Sequence, residues 1–270
     1  MTNLKQFISI ICLIFICNAC ATYKPQYAND TSSTFPNKDI QHSFYLIGDA
    51  GNYELGTSSE VLKAFKLELE NAASNSTAIF LGDNIYPEGF PSKDDRNRET
   101  AKKRIEAQTN VAQNFKGRTI FIPGNHDWYS GVKGLKRQEE FVEKALGKNT
   151  FLPENGCPIE KIHVSDDIDL ILVDSHWYLT NWDKEPTIND NCELNTRDAF
   201  LDEFASLIKK ARSKTTIVAL HHPIYTNGPH GGQYSFKSNL KPLPVIGSLI
   251  DVFRKTNGAS TVDIQNKHYD

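Results

Sequence analysis

Gly48-Asp49-Ala50-Gly51, Gly82-Asp83-Asn84-Ile85-Tyr86, Gly124-Asn125-His126-Asp127 and Val218-Ala219-Leu220-His221 follow one another along the chain, each at or just after the end of an apolar, β-rich run. Those runs are residues 44–47, 78–81, 119–123 and 216–220. Strands ending there deliver Asp49, Asp83, Tyr86, Asn125 and His221 to one sheet edge. In open α/β sheets the ground beyond the strand carboxyl ends is where ligands bind. Carboxylate, phenol, amide and imidazole donors together suit hard or borderline divalent and trivalent metal ions. Singly, Gly-Asp and Gly-Asn are turn dipeptides. Occurring in order, each with a strand before it, they point to a catalytic metal site.

The elements that must position these residues alternate in type. After the first strand, Thr57-Ser58-Ser59-Glu60 has capping-box spacing and opens a helix over 61–73 with apolar residues at 61, 62, 64, 65, 67 and 69. Charged 96–115 and amphipathic 135–146 predict two more helices, with Gly147 as a C-terminal stop. Residues 159–164 and 168–173, parted by Ser165-Asp166-Asp167, predict a β-hairpin. A helix over 195–211, a strand over 215–220 and a helix over 245–255 follow. Residues 177–194 read as a long polar insertion. Strands alternating with helices predict an α/β fold, mixed sheets flanked by helices with the hairpin as an antiparallel addition.

With the residues laid out, the chain resembles the calcineurin-like metallophosphoesterases, and within them the purple acid phosphatases. That branch carries GDxG, GDxxY, GNH[D/E], VxxH and GHxH, and this chain matches the first four over roughly residues 42–230. Gly82-Asp83-Asn84-Ile85-Tyr86 is especially similar to the tartrate-resistant type. The resemblance implies a four-layer sandwich with two metal ions. Asp49 and Tyr86 bind one ion, Fe(III), whose hardness suits a phenolate; Asp83 bridges. Asn125 and His221 bind a second, divalent ion of iron, zinc or manganese. It also implies phosphomonoester hydrolysis by metal-hydroxide attack, with His126 protonating the leaving group or stabilising the transition state. His230 matches the offset from His221 at which tartrate-resistant relatives hold a second active-site histidine. A phosphodiesterase or nucleotide hydrolase on the same scaffold is the nearest alternative, and a noncatalytic metal- or phosphate-binding lipoprotein is the alternative of another class.

The fifth motif, Gly-His-x-His, is absent from the sequence. After His230 the remaining histidine is His268, without a preceding glycine. The expectation is that the domain, residues 42–270, is incomplete at its C-terminus. Other histidines read as structural: His222 packs or hydrogen-bonds, His163 and His176 flank the hairpin, with a place at the site rim as the alternative for His176, and His42 lies at the surface. Asp127 orients a neighbour or caps the turn before Trp128.

Composition bounds the partners. The chain has 270 residues, 39% of them apolar, and a net charge of −3. With no basic run it offers no nucleic-acid footprint, and the resemblance implies a phosphorylated small molecule as the partner. Lys5 followed by apolar residues 7–17 predicts a signal peptide over 1–20, too short to span a bilayer. Asn18-Ala19-Cys20 loosely resembles a lipobox, and Ala19-Cys20-Ala21 also fits an A-x-A site. The favoured reading is a lipid on Cys20, a polar tether over 21–41 and an exported, membrane-anchored bacterial lipoprotein; the other is a periplasmic or secreted protein. Cys157 and Cys192, both in polar loops, can pair in an oxidising compartment.

Overall fold

The computed structural model describes residues 39–53, 59–182, 185–226, 228, 230 and 234–257. The signal segment, Cys20, most of the tether, Thr57, Ser58 and His268 lie outside the described residues. The chain forms two compact units, one from Lys38 to His222 and one holding the described residues from Pro223 onward.

In the larger unit, β1 (Ser43–Ile47), β2 (Ser76–Phe80) and β3 (Arg118–Phe121) make a parallel sheet in the order β1-β2-β3. A second sheet contains β4 (Ile159–Ser165), β5 (Ile168–Val173) and β6 (Thr215–Leu220). There β4 and β5 are the expected antiparallel hairpin, and β6 runs parallel to β5. Helices α1 (Glu60–Asn71), α2 (Arg98–Ala112), α3 (Asn125–Trp128), α4 (Gly131–Leu146), α5 (Ser175–Leu179) and α6 (Arg197–Lys210) complete the unit.

Side-chain alternation along each strand builds the layers. Ile79, Ile120 and Ile122 from the first sheet share a core with Ile162, Leu170, Leu172 and Ala219 from the second. The opposite faces carry Ala78, Phe80 and Phe121 on one sheet and Ile171 and Val173 on the other, packed with helix residues such as Leu62, Phe65, Ile105, Phe200 and Leu207. The result is helices, sheet, sheet, helix, as expected. Phe80 stacks on Phe121 at 4.0 Å and meets Phe65 edge-on at 5.5 Å. Each such fully buried side chain contributes about 1.5–3 kcal/mol of apolar burial.

Element boundaries shift for local reasons. The cap of α1 is Ser59, whose hydroxyl accepts the Leu62 N–H at 3.3 Å, so the helix begins at Glu60. Gly147 does end α4, at φ 104, where its N–H reaches the Glu143 carbonyl. The polar insertion is corrected at both ends. Residues 175–179 are helical, capped by Asp174, and Trp177 and Ile188 are buried. Trp177 packs on Trp182, over which the Arg197 guanidinium lies at 4.2 Å. Cys157 and Cys192 are disulfide-bonded with their Cα atoms 5.4 Å apart, tying this loop to the start of the hairpin. His42 is half-buried rather than superficial, its Nε2 2.9 Å from the Thr77 hydroxyl.

The smaller unit contains α7 (Phe236–Asn239) and α8 (Pro244–Asn257), the second close to the helix expected there. Among the described residues no helix is long and apolar enough to cross a membrane.

Candidate metal centre

Two parallel strand ends give the site its floor. Directly after β1 and β2 the chain turns through Asp49 at φ 55 and Asp83 at φ 54. This left-handed region is disfavoured for residues with a Cβ, and Asp tolerates it better than most because its short side chain can bond locally. The turns are stitched together: Asp49 N–H donates to the Gly82 carbonyl at 3.1 Å and Gly51 N–H to the Asp83 carbonyl at 3.2 Å. Gly124, at the end of the β3 run, is required by proximity. A Cβ there would stand 2.3 Å from Asp83 Oδ1. At Gly82, φ +91, a Cβ would meet the Gly124 backbone at 2.7 Å and His221 Nδ1 at 2.8 Å. Glycine makes room for the carboxylate and the imidazole to converge.

The convergence centres on Asp83, which is buried. The His126 backbone N–H donates to its Oδ1 at 2.9 Å, and His221 Nε2 stands 3.4 Å from the same oxygen. His126 Nε2 is 4.0 Å from Oδ2. The Tyr86 hydroxyl oxygen lies 2.7 Å from Asp83 Oδ2 and 2.7 Å from Asp49 Oδ1. Asn125 is buried and donates its Nδ2–H to the Tyr129 hydroxyl at 2.7 Å. Asp49, Asp83, Tyr86, Asn125, His126 and His221 all belong to the larger unit. His230 is exposed and belongs to the smaller one.

Ring nitrogens are assigned by their outer partners. His221 Nδ1 is 2.8 Å from the Leu81 carbonyl and His126 Nδ1 is 2.6 Å from the Pro87 carbonyl. A carbonyl only accepts, so each Nδ1 carries a proton and each Nε2 is the nitrogen left for the site.

The residues fit a cation on this geometry. A phenol has one proton, yet the Tyr86 oxygen is at hydrogen-bond distance from two carboxylates. One of those oxygen pairs therefore lacks a bridging proton, and a hard cation bound by all three oxygens relieves it. Protonation energetics agree. Burial, followed by the bonds to and charges of Asp83 and Asp49, pushes the Tyr86 hydroxyl far up. Burial raises the Asp83 carboxyl, but hydrogen bonding to and the charge of His221, with Tyr86 and the His126 N–H, outweigh it and hold it down. Burial lowers His221, and the Asp83 bond and charge more than reverse that. Protons on Tyr86 and His221 stand where a metal would put positive charge. Among the described residues no three or more of His, Cys, Asp and Glu are already grouped to hold an ion, and the donors expected from the sequence also include Tyr86 and Asn125, which are of other types.

Asp127 does both things the sequence allows. Fully buried, it accepts the backbone N–H groups of Asn84 at 3.0 Å, Ile85 at 3.0 Å and Gly124 at 2.8 Å, and side-chain N–H groups of Asn84 and Gln138. It thereby ties the Asp83 loop to the Asn125 loop. From α2, Gln108 donates to the Asn84 carbonyl at 2.7 Å, and Arg104 reaches the Tyr86 and Tyr53 carbonyls. The structure adds two residues that the motifs do not mark. Tyr129 packs on His126 at 4.7 Å, and His176, buried, meets the rings of Tyr129, Trp128 and His222 at 6.4, 5.9 and 6.4 Å. Burial lowers His176 to about 4, with Asp83 pulling up and His221 and His126 pushing down. His222 bonds Ser175 Oγ through Nδ1 at 2.7 Å, as a structural histidine should.

The family model of calcineurin-like phosphoesterases matches residues 42–255. Purple acid phosphatase 4 of Arabidopsis thaliana is 23% identical over 244 residues, covering 87% of this chain and 68% of the plant protein. A crystal structure of a protein of unknown function from Aquifex aeolicus is 13% identical and covers 66% of this chain and 90% of its own, at a TM-score of 0.30, too slight a likeness to build on. The family match takes in both sheets and every one of the converging loops, and on that extent this chain belongs to the calcineurin-like phosphoesterase family.

Proposed function

We propose that this chain hydrolyses phosphomonoesters at a pair of metal ions, one Fe(III) and one divalent iron, zinc or manganese, in the manner of tartrate-resistant purple acid phosphatases. Calcineurin-like phosphoesterases and purple acid phosphatases use dinuclear metal centres. The observation that carries the reading to this chain is the Tyr86 oxygen, 2.7 Å from carboxylates of two strand ends. Asp49 and Tyr86 would hold the first ion, Asp83 would serve both, and Asn125 and His221 would hold the second. Such a pair supplies Lewis acidity to the phosphoryl oxygens and lowers the pKa of the attacking water. With its Nδ1–H held by the Pro87 carbonyl, His126 in its imidazolium form carries a second proton on Nε2, and that proton goes to the departing alcohol oxygen. The attacking water releases one proton to solvent and its oxygen forms the new P–O bond as the ester P–O bond breaks; the His126 proton leaves with the alcohol, and the neutral imidazole is reprotonated from solvent. His230 contacts the substrate, a role supported by its offset from His221.

Metal analysis combined with rates on p-nitrophenyl phosphate and bis-p-nitrophenyl phosphate tests this. Two ions per chain and a preference for the monoester are expected. Preference for the diester replaces the monoesterase with a phosphodiesterase, and bound metal without turnover on either leaves a binding protein. Anchoring belongs to the same proposal: Cys20 carries lipid, and Cys20→Ser loses metabolically incorporated palmitate if it does.

A further inference from the structure

Tyr129 lies outside the motifs, yet it holds the amide of a proposed ligand. It closes the short helix α3 four residues after Asn125, a spacing that brings two side chains together on one face. Asn125 is 5% exposed and Tyr129 is 51% exposed, and the Asn125 Nδ2–H donates to the Tyr129 hydroxyl oxygen at 2.7 Å. The phenol ring is steadied by neighbours. His126 lies against it at 4.7 Å, tilted by 53°, and His176 meets it at 6.4 Å and 73°. His176 is itself buried beside Trp128.

A carboxamide offers one oxygen and one NH2 group, and only the oxygen can face a cation. When it does, the NH2 group points the other way and, being buried, needs an acceptor; an orphaned donor there penalises that orientation. Resting on the metal reading above, we propose that Tyr129 is a positioning residue of the metal centre. It accepts the Asn125 N–H, so the buried amide keeps its oxygen turned to the ion that Asn125 serves. Loss of such an outer partner typically costs about 10–100-fold in metal affinity.

The test titrates the metal-stripped full chain with Zn(II) and compares wild type, Tyr129→Phe, Asn125→Ala and the double variant. Phenylalanine keeps the ring on His126 and His176 and removes the hydroxyl, and circular dichroism melts check that all four proteins fold. Wild type takes two ions. Tyr129→Phe leaves the tighter ion unchanged and weakens the other by about 10–100-fold. In the Asn125→Ala background the same substitution changes affinity by less than about twofold, the scatter of independent sites. Unchanged affinity in Tyr129→Phe, or an equal loss in the Asn125→Ala background, overturns the positioning role alone. A wild-type chain that binds none of Zn(II), Mn(II) and iron overturns the metal reading, and this inference with it.

Discussion

At the scale of single residues, the site is a problem in placing few protons among many acceptors. Asp49, Asp83 and the Tyr86 oxygen crowd together, and one phenol proton cannot serve both carboxylates. Tyr86→Phe therefore removes the phenol oxygen of the proposed metal site and leaves two carboxylates facing an apolar ring. In the iron-loaded protein the visible charge-transfer band of a phenolate on Fe(III) disappears with it; an unchanged spectrum, or a colourless iron-replete wild type, contradicts the assignment of Tyr86. His126 separates two functions in one residue. Its backbone N–H holds Asp83, whereas its ring faces the site with Nε2. His126→Ala keeps the first and loses the second. Metal content should stay at the wild-type level while turnover falls by roughly a hundredfold or more, the scale of a lost general acid. Measured loss of an ion in that variant sinks the noncoordinating role.

Among the elements, the strands aim the proposed ligands and the helices bond to the loops that carry them. Asp49 and Asp83 leave β1 and β2 in matching left-handed turns, so adjacent parallel strands present their carboxylates side by side. Helix α2 clamps the second turn through Arg104 and Gln108, and Asp127 in the short helix α3 gathers donors from both neighbouring loops. Asp127→Ala orphans buried N–H groups of Asn84, Ile85, Gly124 and Gln138 together. At about 1–3 kcal/mol for each unsatisfied group, chemical denaturation should report a loss of about 3 kcal/mol or more. A loss within experimental error of zero means these loops are held by something else.

Across the larger unit, the site is a joint between sheets. Asp49, Asp83 and Asn125 come from the first sheet and His221 from the second, and His221 Nδ1 meets the Leu81 carbonyl across the sandwich. A buried carboxyl ties the same layers together behind the site. Asp174, at the end of β5, accepts Trp128 Nε1–H at 2.7 Å and the Trp177 N–H at 3.1 Å. Burial pushes it up from 3.8 to about 7, against those bonds. A folded state that holds its proton more tightly than the unfolded chain gains stability that is fully present below pH 3.8 and lost as pH rises through about 7. Melting temperature should accordingly fall across that window, and Asp174→Asn, which keeps an acceptor for Trp128, should flatten the profile. Parallel profiles for the two proteins refute the linkage.

The strands before Asp49, Asp83, Asn125 and His221, the amphipathic helices and the hairpin were legible because hydrophobic period and turn chemistry are local properties. The family resemblance carried by the four motifs implied that Asp83 bridges. Nonlocal choices needed the fold. The pairing of β6 with the hairpin rather than with β1–β3 follows from which faces bury together, and alternation names a face without naming its partner. Trp177 and Ile188 read as parts of a polar loop, since a few apolar residues among many polar ones show no core until they fold; Trp177 is buried with Trp182 packed on it and Arg197 over Trp182, and Ile188 is buried as well. Tyr129 on Asn125, His176 in the aromatic wall, the half-buried His42 and the bond between Cys157 and Cys192 are contacts of geometry. Residue types set which donors the chain can bring to a metal; only the packing of two sheets brings His221, far along the chain, within reach of Asp83, because the core between them is built from both.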